Sequence, residues 1–398
     1  MLDNKQINKI KCVLKERKQI SKPRSIVLKL GTDCNLRCEY CYVEHLKDNV
    51  ELSVKTVEKL FDELMENNTR MIDCCLHGGE PFLYFDKMKS IIQMLSSKPY
   101  AKQIRYSCQS NGTLLTDEMI DFIKQYRISV GISIDGPQKV NDLLRKYPNG
   151  KGSFEAIIIG INKLIRNNIG FSVLSVLSNY NIEYVLETLT FLRELGIPCV
   201  DLKPCFKTDL NDQELTPKVY ADSILKVIDW LVENNTLESR ILVREIEMYT
   251  TLIMHKDNIS GYYDCRSMCD ILNCGAGRDH ITVDTYGNIY ICDRLYGHEE
   301  YILGNINDES LEFIMSNSLI KTFLGRKISE IEECCNCDVN SICFLGCPAT
   351  NILQNGGQID AINMKPAYCE YFKSIIKKIR SVVDNGDYHQ LIRVGDEN

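Results

Sequence analysis

Three cysteines stand close together near the start of the chain: Cys34, Cys38 and Cys41, spaced C-x3-C-x2-C. A [4Fe–4S] cluster takes a thiolate at each iron, so three thiolates leave one iron open for another ligand. A structural zinc site takes four protein ligands, and His45 is the nearest candidate for a fourth. Unreactive thiols would not need this spacing beside an aromatic residue, Tyr40. The triplet therefore favours an iron–sulfur cluster over zinc or inert thiols.

The elements that must position the triplet alternate between strand and helix from residue 25 to about residue 235. Apolar runs predict strands over residues 25–30, 71–76, 103–108, 129–134, 170–178 and 199–203. Amphipathic patterns predict helices over residues 53–67, 85–97, 116–126, 153–168, 184–195 and 217–234. Such βα units imply an α/β fold with a parallel sheet that curves into a partial (β/α)6 barrel. Chemistry in these folds lies at the carboxyl ends of the strands, where the triplet falls.

A second motif, His77-Gly-Gly-Glu-Pro81, follows the second predicted strand. Gly78 and Gly79 let the backbone approach a ligand, and Glu80 supplies a carboxylate. Alone, such a stretch is more often a turn with a solvated glutamate. Together with the cysteine spacing and Tyr40, it resembles the radical S-adenosylmethionine (SAM) superfamily. The resemblance implies that the open iron chelates SAM, that Glu80 and the glycines hold its ammonium group, and that SAM is cleaved to a 5′-deoxyadenosyl radical.

Two further loops resemble the sulfatase-maturating and peptide-modifying branch of this superfamily. They are residues 109–115 after the third strand, and residues 133–137 followed by Arg145. Taken alone, they are an Asn-Gly turn before a helix capped by Thr116 and a Gly-Pro turn. The resemblance implies SAM contacts from Gln109, from Ser133 to the ribose and from Arg145 to the carboxylate. It also places Leu202 near the adenine, although a core position is the alternative for this leucine.

A second group of cysteines lies in the C-terminal third of the chain. Cys274 and Cys292 flank a predicted hairpin over residues 280–292. The others follow in the order C-x2-C-x5-C-x3-C and then one more: Cys334, Cys337, Cys343, Cys347 and Cys369. Zinc-ribbon pairs do not easily explain seven cysteines in this order. The array resembles the small, cysteine-rich SPASM domain, which implies two auxiliary [4Fe–4S] clusters and therefore three clusters in all.

The same resemblance assigns ligands to the two auxiliary clusters. The first would be held by Cys274, Cys292 and Cys347, and the second by Cys334, Cys337, Cys343 and Cys369. We expect Cys269 to complete the first cluster, with Cys265 as the alternative. An open iron there would instead let a substrate thiolate bind directly.

An aspartate, Asp293, directly follows the predicted ligand Cys292. The resemblance to sulfatase maturases implies that Asp293 is the base that takes a proton from the substrate. A carboxylate in a closed cleft can have its proton affinity tuned for that task. The alternative is a turn aspartate that bonds the end of the hairpin.

Composition narrows the class of protein. The chain has 398 residues and a net charge of −7, which argues against a dedicated nucleic-acid binder. It has no run of 18 apolar residues and no leader, so we expect no membrane association and a cytoplasmic location. Its 19 cysteines fall in tight clusters, which favours metal thiolates in a reducing compartment over disulfides.

The expected organisation is a helix over residues 1–24, the barrel over 25–235, a linker with one helix over 236–262, the SPASM domain over 263–383 and a tail over 384–398. The resemblance implies an oxidoreductase that acts on a peptide or protein and receives electrons from a low-potential donor such as flavodoxin or ferredoxin. The predicted product is a thioether or carbon–carbon crosslink in a ribosomally made peptide.

Two alternatives to this function stay open. The near one is an anaerobic sulfatase-maturating enzyme, which oxidises Cys or Ser to formylglycine. Gln109, Arg145 and Asp293 match that group, whereas His77 and Val43 depart from its pattern. The distant alternative is a non-enzymatic iron–sulfur electron carrier or sensor.

Overall fold

One sheet runs through the molecule. The computed structural model describes residues 22–43, 46, 48–205, 214–236, 238–255 and 274–393. Within these residues ten strands are hydrogen-bonded in the order β10-β9-β8-β1-β2-β3-β4-β5-β6-β7. They are β1 Ser25–Lys29, β2 Ile72–His77, β3 Ile104–Ser110, β4 Ser129–Ser133, β5 Phe171–Leu177, β6 Cys199–Pro204, β7 Leu242–Val243, β8 His280–Val283, β9 Asn288–Tyr290 and β10 Ile302–Asn305. Neighbours from β8 through β1 to β7 are parallel, and β8–β9 and β9–β10 are antiparallel.

Helices follow the strands and share one apolar core with alternate strand residues. In the parallel part they are α1 Val54–Met65, α2 Phe85–Ser96, α3 Asp117–Tyr126, α4 Gln138–Leu144, α5 Phe154–Arg166, α6 Val185–Glu194, α7 Pro217–Asn234 and α8 Arg244–Met254. In the cysteine-rich part they are α9 Leu311–Met315, α10 Ser318–Leu324, α11 Glu332–Cys335, α12 Asn340–Cys343, α13 Pro348–Gln354 and α14 Cys369–Asp384.

Helix α1 shows how the sequence specifies this packing. The Ser53 side chain caps its start by accepting a hydrogen bond from the backbone N–H of Lys55 at 3.2 Å. Val57, Leu60 and Leu64 are fully buried, at the three- and four-residue spacing that puts them on one face. Burial of that face against the sheet stabilises the helix more than its intrinsic propensity does.

The predicted βα units between residues 25 and 235 are confirmed, with boundaries within two residues. Helix α7 has the predicted bounds. Helix α4 and strand β7 were not predicted, because seven and two residues are too few to establish a period. The one helix predicted within the linker over 236–262 is present as α8. Strand β7 pairs in parallel with β6, so β7 and α8 add a further strand–helix unit to the barrel.

The sheet also crosses the predicted boundary between the barrel and the SPASM domain. The predicted hairpin forms from β8 and β9, and β8 pairs in parallel with β1. Ser25 lies opposite His280, and Leu28 lies opposite Val283. The cysteine-rich region therefore continues the barrel sheet on the far side of β1. The limits of the two domains stay predictions.

The predicted N-terminal helix and C-terminal tail lie at the two ends of the chain, and the structure describes mainly the second. The predicted helix over residues 1–24 lies outside the described residues, apart from its last three. The predicted tail over 384–398 is wrong up to residue 393, because Leu391 and Ile392 are each 1% exposed. The Asn235 amide also donates a hydrogen bond to the Gln390 carbonyl at 2.8 Å. Among the described helices, none is long and apolar enough to cross a membrane.

Candidate active site

The cysteine triplet occupies the loop that leaves β1. The Cys34 thiol accepts hydrogen bonds from the Leu36 backbone at 3.4 Å and from the Asn111 amide at 3.7 Å. The charges of Cys34, Cys38 and Cys41 interact with one another, so the three thiols form one group. Burial raises the pKa of Cys34 to about 11 and that of Cys38 to about 12. A bound metal would offset this burial, because its positive charge favours the thiolate.

Gly78 and Gly79 pack against the backbone of the cysteine loop. A Cβ atom at Gly78, where φ is +141°, would lie 2.2 Å from the Gly31 carbonyl oxygen. A Cβ atom at Gly79 would lie 2.0 Å from the Asp33 carbonyl oxygen. The Gly79 N–H also donates a hydrogen bond to the Gly31 carbonyl at 3.0 Å. The glycines thus allow two loops to touch, whereas their predicted contact with SAM stays a prediction.

Glu80 joins the loops after β2 and β3 and is 1% exposed. Its carboxylate accepts hydrogen bonds from the Phe82 N–H at 3.1 Å, the Ser110 hydroxyl at 2.8 Å and the Asn111 N–H at 2.7 Å. Burial raises the pKa of Glu80, while the bonds from Asn111 and Ser110 favour its ionised form. A carboxylate has about four acceptor positions. Glu80 therefore keeps room for one more donor, which fits the predicted ammonium of SAM.

Arg145, Tyr40 and Asp135 form a buried chain of polar groups. Arg145 donates to the Tyr40 hydroxyl at 2.8 Å, and that hydroxyl donates to Asp135 at 2.7 Å. The unpredicted helix α4 ends at Arg145 and so positions it. Among the described residues, the buried Nε of Arg145 has no hydrogen-bond partner. A carboxylate such as that of SAM would satisfy this donor.

Gln109 and Ser133 lie on neighbouring strands and contact each other. The Gln109 amide donates to the Ser133 hydroxyl at 2.9 Å. Gly131 leaves space for this contact, because a Cβ there would lie 2.2 Å from the Gln109 Oε1 atom. The structure therefore brings two predicted SAM contacts together on one face of the sheet.

The Leu202 side chain lies in the core, and the predicted place of this residue near the adenine stays a prediction. Ser133 is paired with Leu174 on β5, and Leu174 is paired with Asp201 on β6. Paired residues of parallel strands share a face and successive residues alternate, so Leu202 points to the opposite face from Ser133. Leu202 is 1% exposed and belongs to the apolar core beneath the helices.

Asp293 forms an ion pair with Lys29. It begins a 3₁₀ helix at Asp293–Leu295, and its carboxylate lies 2.6 Å from the Lys29 ammonium. The Lys29 side chain is 0% exposed, whereas that of Asp293 is 31% exposed and reaches open space. Burial raises the pKa of Asp293, but the charge of Lys29 outweighs burial and holds this pKa well below its usual range. The pair links β1 of the barrel to the segment after β9.

Two further side chains surround this ion pair and were missed by sequence reasoning. The Lys29 ammonium lies 3.1 Å from the Tyr42 hydroxyl and 3.3 Å from the His77 Nδ1 atom. Burial, and then the charge of Lys29, lowers the pKa of His77 to about 4, so this imidazole is neutral at pH 7. A lysine inside an otherwise apolar strand was the available signal, since lysine is rarely buried without a partner.

The four residues of the second predicted ligand set all lie within the described residues, and their role as ligands stays a prediction. Cys334 lies in α11, Cys343 ends α12, and Cys369 begins α14. The charges of these three residues and of Cys337 interact with one another. Short helices and turns therefore bring four thiols that are separated in sequence within electrostatic reach of one another.

The first predicted set is described in part. Cys274 interacts with the charge of Cys347. The backbone N–H of Gly277 donates to the Ile291 carbonyl at 2.9 Å, which brings the segment after Cys274 beside the one that carries Cys292. Cys269 and Cys265 lie outside the described residues, so the fourth ligand stays a prediction.

These thiol groups fit iron–sulfur clusters in donor type, because each of them consists of cysteines alone. In the part of the chain that the structure describes, no three His, Cys, Asp or Glu side chains converge as the ligands of a single metal ion would. The arrangement at the barrel mouth can thus hold a cluster beside a cradle for a zwitterionic ligand, with a second thiol-rich region behind Asp293.

Two family models match the chain at these sites. The radical SAM superfamily model matches residues 28–192, and the iron–sulfur cluster-binding SPASM domain model matches residues 274–338. The chain belongs to the radical SAM superfamily and carries a C-terminal SPASM domain. It is therefore an enzyme of the class that uses SAM and iron–sulfur clusters, while the number of clusters stays a prediction.

Curated relatives extend over most of the chain. An uncharacterized protein of Methanocaldococcus jannaschii is 31% identical over 72% of this chain and 90% of its own length. The serine-type anaerobic sulfatase-maturating enzyme of Bacteroides thetaiotaomicron is 27% identical over 89% of this chain and 90% of its own. The radical SAM cyclopropyl synthase TigE of Paramaledivibacter caminithermalis is 25% identical over 89% of this chain and 74% of its own.

A solved structure shows the same fold. It is that of anSMEcpe with bound AdoMet and the Cp18Cys peptide, and it matches with a TM-score of 0.77 at 20% identity. The match covers 92% of this chain and 99% of that one. The α/β barrel with its C-terminal SPASM domain is thereby confirmed.

Proposed function

We propose that this enzyme abstracts hydrogen from a residue inside a ribosomally made peptide and closes a thioether or carbon–carbon crosslink. The bound cluster and SAM would supply the 5′-deoxyadenosyl radical that such an abstraction needs. Cys34, Cys38 and Cys41 would hold the cluster, while Glu80 and Arg145 would hold the charged groups of SAM. A low-potential flavodoxin or ferredoxin would deliver the electrons.

One observation carries the choice of a crosslink: His77 contacts the same Lys29 ammonium that pairs with Asp293. Crosslinking and the oxidation of Cys or Ser to formylglycine both remove one hydrogen as an atom and a second as a proton, and both pass one electron on, which an auxiliary cluster would accept. A thiol bound at an open auxiliary iron would release its proton on binding, whereas formylglycine formation requires a base. Lys29 lowers the pKa of Asp293, so this carboxylate accepts protons weakly but still accepts hydrogen bonds. His77 is also a position where the chain departs from the sulfatase-maturase pattern.

In this proposal Asp293 orients the peptide. Its carboxylate is ionised and 31% exposed, so it can accept a hydrogen bond from a peptide N–H or hydroxyl group. Lys29 and Tyr42 hold the carboxylate from behind and fix its direction. The likeness to TigE, a radical SAM cyclopropyl synthase, agrees with a bond-forming reaction.

Sulfatase maturation is the second candidate, and the likeness to sulfatase-maturating enzymes over most of the chain favours it. Gln109 and Ser133 contact each other at the barrel mouth, as the two SAM contacts implied by the resemblance to that branch would. In this case Asp293 would take the substrate proton after its pair with Lys29 opens.

Reconstituted protein, SAM and a reductant should be incubated with a sulfatase-type peptide and, separately, with peptides encoded beside the gene. The proposal expects an encoded peptide to lose two hydrogens and to give linked fragments in tandem mass spectrometry, with no reactive carbonyl. An aldehyde formed on the sulfatase-type peptide, and trapped by a hydrazine, would refute the crosslinking proposal in favour of the second candidate.

A further inference from the structure

The connection between Cys343 and Cys347 has an unusual backbone. Phe344, Leu345 and Gly346 all have positive φ angles, of 45°, 66° and 56°. The left-handed region costs a residue other than glycine about 1–2 kcal/mol, and such strain persists only where the surroundings enforce it. Two non-glycine residues in this region make the connection strained.

Arg326 holds this left-handed turn in place. Its guanidinium donates to the carbonyl oxygens of Leu345 at 2.8 Å and Gly346 at 3.2 Å. A third hydrogen bond, at 2.8 Å, reaches the Ile362 carbonyl. Arg326 is 8% exposed, and the fixed fork of its donors matches several carbonyls at once. One side chain therefore fixes the turn to a second segment of the domain.

The charge of Arg326 lies among thiols of both predicted auxiliary sets. Burial lowers the pKa of Arg326, and the charges of Cys274, Cys347 and Cys343 act in the opposite direction. Arginine keeps its proton throughout the physiological range. A buried cation is costly unless negative charge lies nearby, and thiolates of the two sets would provide that charge.

We infer that Arg326 is a positioning residue shared by the two auxiliary centres. It holds the left-handed turn so that Cys343 serves one ligand set and Cys347 the other. Its buried positive charge stabilises the reduced, more negative state of both clusters and so raises both reduction potentials. The inference rests on the ligand sets predicted above, but it does not depend on which peptide is modified.

The first test measures iron in Arg326→Gln, because loss of the fork should release the turn. If all three clusters have four irons, we expect about twelve irons in the parent protein and about four in this variant, which keeps the SAM-binding cluster. Arg380→Gln is the matched control. Arg380 donates a hydrogen bond to the Asp338 carbonyl at 2.9 Å, next to the predicted ligand Cys337, but this contact is at the surface. Full iron content in Arg326→Gln would overturn the positioning role.

A second variant separates the turn from the charge. Leu345→Gly in the Arg326→Gln background removes the backbone strain at one of the two non-glycine residues of the turn, so auxiliary iron should rise above that of Arg326→Gln alone. Potentiometric titration followed by electron paramagnetic resonance should then give both auxiliary potentials below those of the parent, with the SAM-binding potential unchanged. Parent-like auxiliary potentials would overturn the electrostatic role, and failure to recover iron would overturn the role of the turn. Iron content and reduction potentials are measured without any peptide product. Both tests therefore stay decisive even if the proposed crosslinking reaction is refuted.

Discussion

The two metal-binding regions of this enzyme are built in opposite ways. At the barrel mouth, the ligands lie in one loop and the loops around them are joined by Glu80 and by the Arg145–Tyr40–Asp135 chain. In the cysteine-rich region, the ligands come from several short helices, and a strained turn held by Arg326 lies between them. A site within one loop can be recognised from spacing alone, whereas a site gathered from distant segments depends on the whole fold. The Lys29–Asp293 pair joins the two regions.

Removing the triplet tests whether the two regions are independent. Replacement of Cys34, Cys38 and Cys41 by alanine should abolish release of 5′-deoxyadenosine from SAM, measured by chromatography. Iron content should fall by about four, because the auxiliary thiols lie elsewhere. Loss of all iron would show that the auxiliary region cannot form without the barrel-mouth cluster, and retention of full turnover would refute the assignment of the triplet.

Asp293→Asn acts on the pair that joins the regions. Because the proposal has Asp293 orient the peptide through a hydrogen bond to a charged group, we expect product formation to fall by about tenfold to a hundredfold, while SAM cleavage without product continues. A fall of about 10²–10⁴-fold would instead support a base. Stability should also fall, by about 3–5 kcal/mol, because the fully buried Lys29 loses its counter-charge. Glu299→Gln, at an exposed position in the following 3₁₀ helix, is the control for both assays. Unchanged turnover would remove the base hypothesis.

Glu80→Gln tests the barrel mouth alone. Ser110 and Asn111 donate to different oxygens of Glu80, so an amide keeps one of these hydrogen bonds and turns a donor towards the other group. We expect SAM to bind about tenfold to a hundredfold more weakly, since a hydrogen bond to a charged group contributes about 1.5–3 kcal/mol. Calorimetric titration with SAM measures this loss. Glu118→Gln, where the acid is 69% exposed beside Lys89, should bind SAM as the parent does.

Lys29→Met gives the smallest expected effect and a pH signature. The charge of Lys29 lowers the pKa of Asp293. Burial lowers the pKa of Lys29, but the charge of Asp293 outweighs burial and raises it. The stability from the pair is therefore present above the unfolded pKa of Asp, about 3.9, and below that of Lys, about 10.4. Chemical denaturation should show a loss below 3 kcal/mol, as Asp293 reaches solvent.

The loss in Lys29→Met should stay constant from about pH 5 to about pH 9. Below about pH 5 the difference in unfolding free energy between the parent and Lys29→Met should become smaller. The folded pKa of Asp293 is depressed, so the pair loses its contribution as Asp293 takes up a proton. A difference that grows as the pH falls would contradict the ion pair.

The elements that the sequence predicted well are those with a clear period. Helix α7 was predicted to the residue because its apolar positions recur over 18 residues. Strand β7 has two residues and α4 has seven, so neither shows a period. The parallel pairing of β8 with β1 could not be predicted, because pairing between distant segments leaves no mark on local composition.

The candidate site divides in the same way. The triplet, Glu80 and Arg145 were found because spacing and motif mark them. The Leu202 side chain faces away from Ser133, which motif likeness does not indicate and which follows from the pairing of Ser133 through Leu174 with Asp201. Arg326 carries no motif, and its importance follows only from the carbonyl groups that the fold presents to it.

The joint between β1 and β8 has a consequence for how a substrate is handled. The strand that leads to the triplet and the hairpin that leads to Asp293 are direct neighbours in one hydrogen-bonded sheet. The distance between the cysteine triplet and the Asp293 carboxylate is therefore set by the pairing of strands within one sheet. It does not depend on two domains closing. Under the proposed function, a peptide would have to bring its reactive residue into the space between these two sites, so the bend and reach of the peptide chain would select the substrate.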